Sequence, residues 1–337
     1  MKMLVTGGAG FIGSNFIRYI LEKYPEDQVV NFDKLTYAGN LENLKELEDH
    51  PNYKFVKGDI LNQELVEHVA QDVDVIVNFA AETHVDRSVL DPFSFVKTNV
   101  LGTHTLLEVA RKLGNKRFHH ISTDEVFGSL SLEDGHRAFS EDSPYDPKSP
   151  YSSSKAASDH LVRAYHHTYG LPITISNCSN NYGAFHFPEK VIPLFITNLI
   201  EGKKVPLYGD GLNVRDWIHV LDHCEAVDLI IRRGKIGHSY VVGANCEKSN
   251  FELTMMILKH MGMGEEMIEF VKDRPGHDRR YAIRPHKIQA ELGWKPRIEF
   301  EEGIRRTIQW YAQNEDWWRR VKSGEYQKYY DAWYNRK

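Results

Sequence analysis

Tyr151 and Lys155 stand four residues apart, the spacing that puts two side chains on one face of a helix. An ammonium ion beside a phenol favours the phenolate and brings tyrosine toward the range of a useful general base. Lys155 can also donate to a ribose hydroxyl. Upstream, Ser122 and Thr123 close a β-branched run and are followed at once by Asp124-Glu125. Adjacent carboxylates hold different protonation states when their environments differ, so one can act as acid and the other as base. Near the N-terminus, Gly7-Gly8-Ala9-Gly10-Phe11-Ile12-Gly13 contains GxGxxG (from Gly8) and GxxGxxG (from Gly7). Its glycines permit a tight turn and close backbone approach to a pyrophosphate, and the helix that comes next offers free N–H groups. Asp33 lies 20 residues beyond Gly13, where a carboxylate accepts from both ribose hydroxyls of NAD and repels the 2′-phosphate of NADP. Lys34 next to it is the one feature that softens this preference. Asp59 is placed to meet the adenine edge. Each motif has a plainer reading, as surface residues on a helix or an acidic loop. Their coincidence in one chain favours the chemical one.

These residues need elements to position them. The runs at 3–6, 29–32, 53–57, 73–78, 118–122 and 173–176 are nearly continuous in apolar residues, as strands covered on both faces are. Amphipathic stretches at 15–24, 63–70 and 99–113 lie between most of them, and 151–169 forms the helix that carries Tyr151 and Lys155. The alternation predicts an α/β fold, a Rossmann-type doubly wound parallel sheet over residues 1–178. A strand at 240–243 predicts a return segment near 236–260. From 179 to 337 proline and glycine punctuate shorter elements, which predicts a smaller C-terminal α/β domain. After Gly303 the aromatics Trp310, Trp317, Trp318, Tyr329, Tyr330 and Trp333 mix with charged residues. An amphipathic helix packing its rings on the body outweighs a stacking platform for single-stranded nucleic acid.

The 337 residues, 41% hydrophobic and 26% charged, exclude a mainly disordered, collagenous or disulfide-rich chain. A net charge of −5 gives no overall attraction to nucleic acid or an anionic membrane. No apolar run approaches the ~20 residues that span a bilayer, and the first residues read as a glycine turn rather than a targeting segment. Three scattered cysteines without CxxC fit a reducing cytoplasm, and seventeen histidines without ligand spacing predict no metal.

With these residues in hand, the chain resembles the extended short-chain dehydrogenase/reductase superfamily and, within it, the dTDP-glucose 4,6-dehydratase family. The resemblance covers nearly the whole chain. It rests on Ser122-Thr123-Asp124-Glu125-Val126-Phe127-Gly128, Ala81-Glu82-Thr83-His84-Val85-Asp86-Arg87-Ser88, Tyr208-Gly209-Asp210-Gly211, Arg215-Asp216-Trp217 and Asp273-Arg274-Pro275-Gly276-His277-Asp278-Arg279-Arg280-Tyr281. It implies an NAD-dependent lyase acting on a nucleotide sugar, dTDP-glucose. Tyr151 is the base for C4 oxidation, helped by Lys155 and Thr123. The C4 ketone acidifies the C5 proton, which Glu125 removes; Asp124 protonates the departing C6 hydroxyl, and hydride returns to C6. The implied cofactor contacts are Gly7, Gly10, Phe11, Ile12, Gly13, Asp33, Lys34, Thr36, Asp59, Ile60, Ala81, Thr98, Tyr151, Lys155 and Asn181. The implied substrate contacts are Thr83, Thr123, Asn180, Glu189, Lys190, Val191, Pro206, Tyr208, Arg215, Asn250, Arg274, His277 and Tyr281. Among these, Arg215 and a second cationic pair, Arg274 with His277, suit phosphate, and Tyr208 suits stacking on the base. The resemblance also implies a homodimer built on the helices at 99–113 and 151–169. Departures at Phe127, Ala184-Phe185-His186, His219, Leu221 and Arg284-Pro285-His286 bear on base selectivity. Another nucleotide sugar such as UDP-glucose, a related decarboxylase or epimerase, and a silent NAD-binding regulator are the competing readings.

Overall fold

Strands buried on both faces and joined by helices pair in parallel, because each crossover carries the chain back to the same end of the sheet. A computed structural model describes residues 1–273 and 277–323. The strands are β1 (Lys2–Thr6), β2 (Gln28–Asp33), β3 (Tyr53–Lys57), β4 (Val75–Asn78), β5 (Arg117–Thr123), β6 (Ile173–Cys178), β7 (Asn180–Tyr182), β8 (Val205–Tyr208), β9 (Val214–His219), β10 (His238–Val242), β11 (Glu247–Ser249) and β12 (Ile268–Val271). The helices are α1 (Phe11–Lys23), α2 (Gln63–Ala70), α3 (Val85–Leu90), α4 (Pro92–Phe95), α5 (Thr103–Lys112), α6 (Pro150–Tyr169), α7 (Val191–Ile200), α8 (Val220–Arg233), α9 (Asn250–His260), α10 (His286–Leu292), α11 (Phe300–Gln313) and α12 (Glu315–Lys322).

Seven parallel strands form the main sheet in the order β10-β6-β5-β4-β1-β2-β3. The order reverses between β1 and β4, which opens a crevice at the carboxyl ends of the strands. Alternation along β1 sets the two cores. Leu4 packs with Phe32, Ile76, Phe118 and helix residues Leu106 and Val162 on one face. Met3 and Val5 pack with Phe16, Ile17 and Ile20 of α1 and Val227 of α8 on the other. The expected strand at 240–243 is β10, which joins the sheet beside β6.

Two shorter sheets, β11-β9-β7 and β12-β8, complete the strand pairing. Their core brings Ile192, Leu253 and Ile304 together with Tyr311, Trp317 and Trp318. The aromatic tail therefore packs its rings on the body, but as two helices, α11 and α12, which part at Asn314 (φ −121°, ψ 42°). Tyr329, Tyr330 and Trp333 lie outside the described residues, as does Arg274.

The stretch expected as one helix over 99–113 begins instead with a π-helical turn, Val96–Gly102, before α5. The wider turn accompanies a buried Asn99, whose amide accepts from Glu82 N (2.8 Å) and donates to Glu82 O (3.0 Å) and Ser154 Oγ (2.8 Å). The segment holding Ala81 and Thr83 is fixed in this way against α6. Among the described residues no helix is long and apolar enough to cross a membrane.

Candidate active site

A cavity of about 440 Å³ opens at the carboxyl ends of β1, β2, β4, β5 and β6. All fifteen expected cofactor contacts line it: Gly7, Gly10, Phe11, Ile12, Gly13, Asp33, Lys34, Thr36, Asp59, Ile60, Ala81, Thr98, Tyr151, Lys155 and Asn181. The glycine turn is as tight as its spacing suggests. Gly7 has φ +68°, and a Cβ there would lie 2.6 Å from Ala80 N; a Cβ on Gly13 would lie 2.4 Å from Gly7 O. Gly10 caps α1 without a side-chain hydrogen bond, so the helix start faces the cavity with backbone donors alone. Asp33 is buried at the end of β2 and accepts from Ala9 N (3.0 Å) and Leu35 N (2.8 Å). Burial raises its pKa against those two bonds. Lys34 is engaged beside this site: its ammonium pairs with Asp59 at 2.7 Å. This donor and acceptor set fits a dinucleotide whose adenosine ribose carries free hydroxyls.

The same cavity takes in Thr123, Asp124, Glu125, Tyr151 and Lys155. Thr123 ends β5 and caps the short 3-10 turn Asp124–Phe127, accepting from Glu125 N (3.3 Å) and donating to Asp124 Oδ1 (3.3 Å). Asp124 is 2% exposed, and its Oδ2 has no hydrogen-bond partner among the described residues. Burial, with the Glu125 and Asp216 charges, pushes its carboxyl well above the usual range; Arg215 and the Thr123 hydroxyl act the other way. The fold thus favours the protonated form of Asp124 beside Glu125.

Tyr151 departs from expectation. Its hydroxyl pKa is pushed well up, first by burial and then by the Glu125 charge, with a Thr123 hydrogen bond opposing. Lys155 is turned elsewhere. Its ammonium donates to Ile121 O (2.7 Å), lies 3.4 Å from His120 Nε2, and has its pKa lowered by burial to about 8, with Asp159 opposing. Beyond it, Asp159 accepts from Ser122 Oγ (2.9 Å), Tyr145 OH (2.7 Å) and Asn177 Nδ2 (3.0 Å). Sequence reasoning missed this buried network. The available signal was Asp159 itself, a charge repeated at i+4 and i+8 on the face that carries Lys155 and Tyr151. A second omission is His223, whose Nδ1 lies 2.9 Å from Asn181 Oδ1. With the neutral ring as donor it orients that amide so that Nδ2 donates to Ser179 O (3.0 Å). Ser179, Cys178, His186, Phe187 and Trp217 also line the cavity.

The expected substrate contacts divide. Thr83, Thr123, Asn180, Lys190 and Val191 line the cavity, with Lys190 Nζ bonded to Thr83 O at 2.9 Å. Glu189, Pro206, Tyr208, Arg215, Asn250, His277 and Tyr281 do not. Glu189 is buried and accepts from Arg87 (3.0 Å), and burial lifts its pKa to about 7. Pro206 sits in β8 opposite Glu269, and Asn250 starts α9 with its N–H on Asn213 O (2.9 Å). Tyr208 lies edge-on to His277 and donates to Asp86 (3.4 Å). His277 is paired with Asp273 at 2.6 Å. Arg215 donates to the carbonyls of Val214 (2.8 Å) and Asp278 (3.0 Å), stacks 4.3 Å over Tyr281, and Tyr281 bonds Asp278. This second group adjoins the first through charge: Arg215 acts on Asp124, and Glu125 acts on Tyr281.

Comparison with known proteins places this geometry. The family model described as GDP-mannose 4,6 dehydratase matches residues 4–307. A dTDP-glucose 4,6-dehydratase of Haemophilus influenzae is 50% identical, over 93% of this chain and 98% of its own length. The chain belongs to the dTDP-glucose 4,6-dehydratase family. Two solved structures of that family agree in fold. The enzyme of Bacillus anthracis in complex with NAD is 52% identical with a TM-score of 0.89, covering 96% of this chain and all of its own. That of Streptomyces venezuelae, with NAD and TYD bound, is 48% identical with a TM-score of 0.93 over the same shares. The family's doubly wound sheet is the one found here.

Proposed function

We propose that this chain is a hydro-lyase that converts dTDP-glucose to dTDP-4-keto-6-deoxyglucose with NAD as its resident cofactor. The observation that carries the reading is a buried Asp124 next to Glu125, in one cavity with Tyr151 and the glycine turn. The glycine turn, the start of α1 and Asp33 would hold the dinucleotide, and Lys155, which lines the same cavity, would donate to its nicotinamide ribose. When bound, NAD supplies reversible oxidation at C4 of the hexose. Tyr151 takes the O4 proton as its phenolate, the form that the Thr123 hydroxyl favours against burial and the Glu125 charge. Glu125 takes the C5 proton and later returns one. Asp124 donates its proton to the C6 oxygen, which leaves as water. Each positioned proton transfer is worth ~10²–10⁴ in rate. Thr83, Asn180, Lys190 and Val191 take the sugar side of the cavity, and Tyr208, Arg215, His277 and Tyr281, outside its lining, take the nucleotide. We assign residues 1–178 with the return segment to cofactor binding and the remainder to the sugar nucleotide. Three unpaired cysteines suit a cytoplasmic enzyme. Exposed Leu90, Phe93, Val96 and Leu101, beside α5 and α6, support a homodimer on that face.

Turnover with dTDP-glucose in heavy water tests the reading. The expected product has lost water and carries deuterium at C5. Glu125→Gln is expected to abolish dehydration while the nicotinamide absorbance still shows cofactor reduction. Dehydration at the parent rate would remove Glu125 from its role, and a product of unchanged mass would point to an epimerase.

A further inference from the structure

The Ala9 peptide, in the middle of the glycine turn, is held at both ends. Its N–H donates to Asp33 Oδ2 (3.0 Å), and its carbonyl accepts from Asn43 Nδ2 (2.9 Å) and Asn40 N (3.0 Å). Asn43 lies in the 3-10 segment Leu41–Leu47 and is 2% exposed. Its oxygen accepts from Trp317 Nε1 at 2.9 Å, across 274 residues of sequence. The indole N–H can only donate, so it fixes which end of the Asn43 amide faces the turn; a flipped amide would set two donors against each other. Trp317 is itself immobilised among Phe185, Trp310 and Tyr311. Further along α12, Arg320 grips Glu42 through two nitrogens (2.9 and 2.5 Å). None of these α12 residues lines the cavity.

We propose that α12 is a brace for the cofactor's phosphate turn. Trp317 is a positioning residue: through Asn43 it sets the Ala9 peptide and the Ala9–Asp33 bond, and so slows release of the adenosine half of NAD. A cofactor regenerated in every turnover gains from such retention. The inference rests on the NAD reading above.

The test uses the full chain as parent, Trp317→Phe, Asn43→Ala and the double variant. Each is titrated with NAD and separately with ADP-ribose, which lacks the nicotinamide, and NAD release is followed by stopped flow. Trp317→Phe is expected to weaken both ligands by about 5–10-fold, the usual effect of one lost buried hydrogen bond. The loss falls on KM for NAD and on the release rate rather than on kcat. Asn43→Ala loses at least as much, and the double variant loses no more than Asn43→Ala, because the path runs through that amide. Parent-like affinity in Asn43→Ala, additive losses in the double variant, or a loss seen with NAD but not with ADP-ribose would each overturn the brace. If Trp317→Phe does not fold, Asn43→Ala alone decides by the same two ligands. A parent that binds neither ligand would overturn the cofactor reading instead.

Discussion

Asp124 and Glu125 are neighbours in sequence yet meet different surroundings, and the difference is what chemistry requires. Asp124 is enclosed beside Glu125 and Asp216, and burial with those charges favours its protonated form. Its pKa is raised above the ordinary 3.8, so folding takes up a proton. The associated stability is full below the unfolded value and is lost as pH climbs through the raised one. Asp124→Asn, similar in shape and uncharged, escapes that loss. We expect it to melt a few degrees above the parent near about pH 8, with the gap closing toward about pH 4, and to lose dehydration by ~10²–10⁴-fold. Thermal scans at the two pH values check the first part; equal melting at the higher pH would mean that Asp124 is not held neutral. Active sites commonly carry this exchange of stability for function. The pair was legible as acid and base from its residue types and its place at the end of a strand. The resemblance already made Asp124 the acid; what raises its pKa was not legible, because Asp216 and Arg215 reach it only through the fold.

The elements that position the site are short and tightly constrained. The turn between β1 and α1 has no room for side chains at Gly7 or Gly13, where backbone atoms lie within 3 Å of a built Cβ. Gly13→Ala is therefore expected to displace the turn and to cut NAD affinity by at least about tenfold, since the pyrophosphate contacts depend on backbone N–H direction. Calorimetric titration measures it, and parent-like affinity would refute the close-packing argument. This turn was readable because its glycines sit between a strand and a helix. The π-helical turn at Val96–Gly102 was not: a single wide turn shifts the backbone ladder by one residue and leaves the apolar periodicity of a short helix nearly intact. The break between α11 and α12 escaped for a similar reason, since Asn314 is an ordinary residue in a polar stretch.

Taken whole, the molecule is a parallel sheet whose reversal point holds the cavity, with Arg215 and Asp216 of β9 acting on Asp124. Its largest exposed apolar residues outside the cavity include Leu90, Phe93, Val96 and Leu101, with Phe93 69% exposed. These are the residues the proposed dimer would cover. Phe93→Asp with Leu101→Asp is expected to convert a dimer to a folded monomer in sedimentation velocity at micromolar concentration. A parent that already sediments as a monomer would remove the dimer from the proposal.

Strand alternation, the glycine turn, the distance to Asp33, and the Tyr151–Lys155 and Asp124-Glu125 spacings are local properties. Backbone geometry translates each of them directly into a face or a turn, so they were readable without coordinates. Protonation and pairing are not local. Burial of Tyr151, the diversion of Lys155 to Ile121 and His120, the separation of Arg215 and Glu189 from the cavity wall, and the bond from Trp317 to Asn43 depend on which distant segments exclude water from each group. Desolvation and hydrogen-bond partners are set by three-dimensional packing, and no spacing along the chain encodes them.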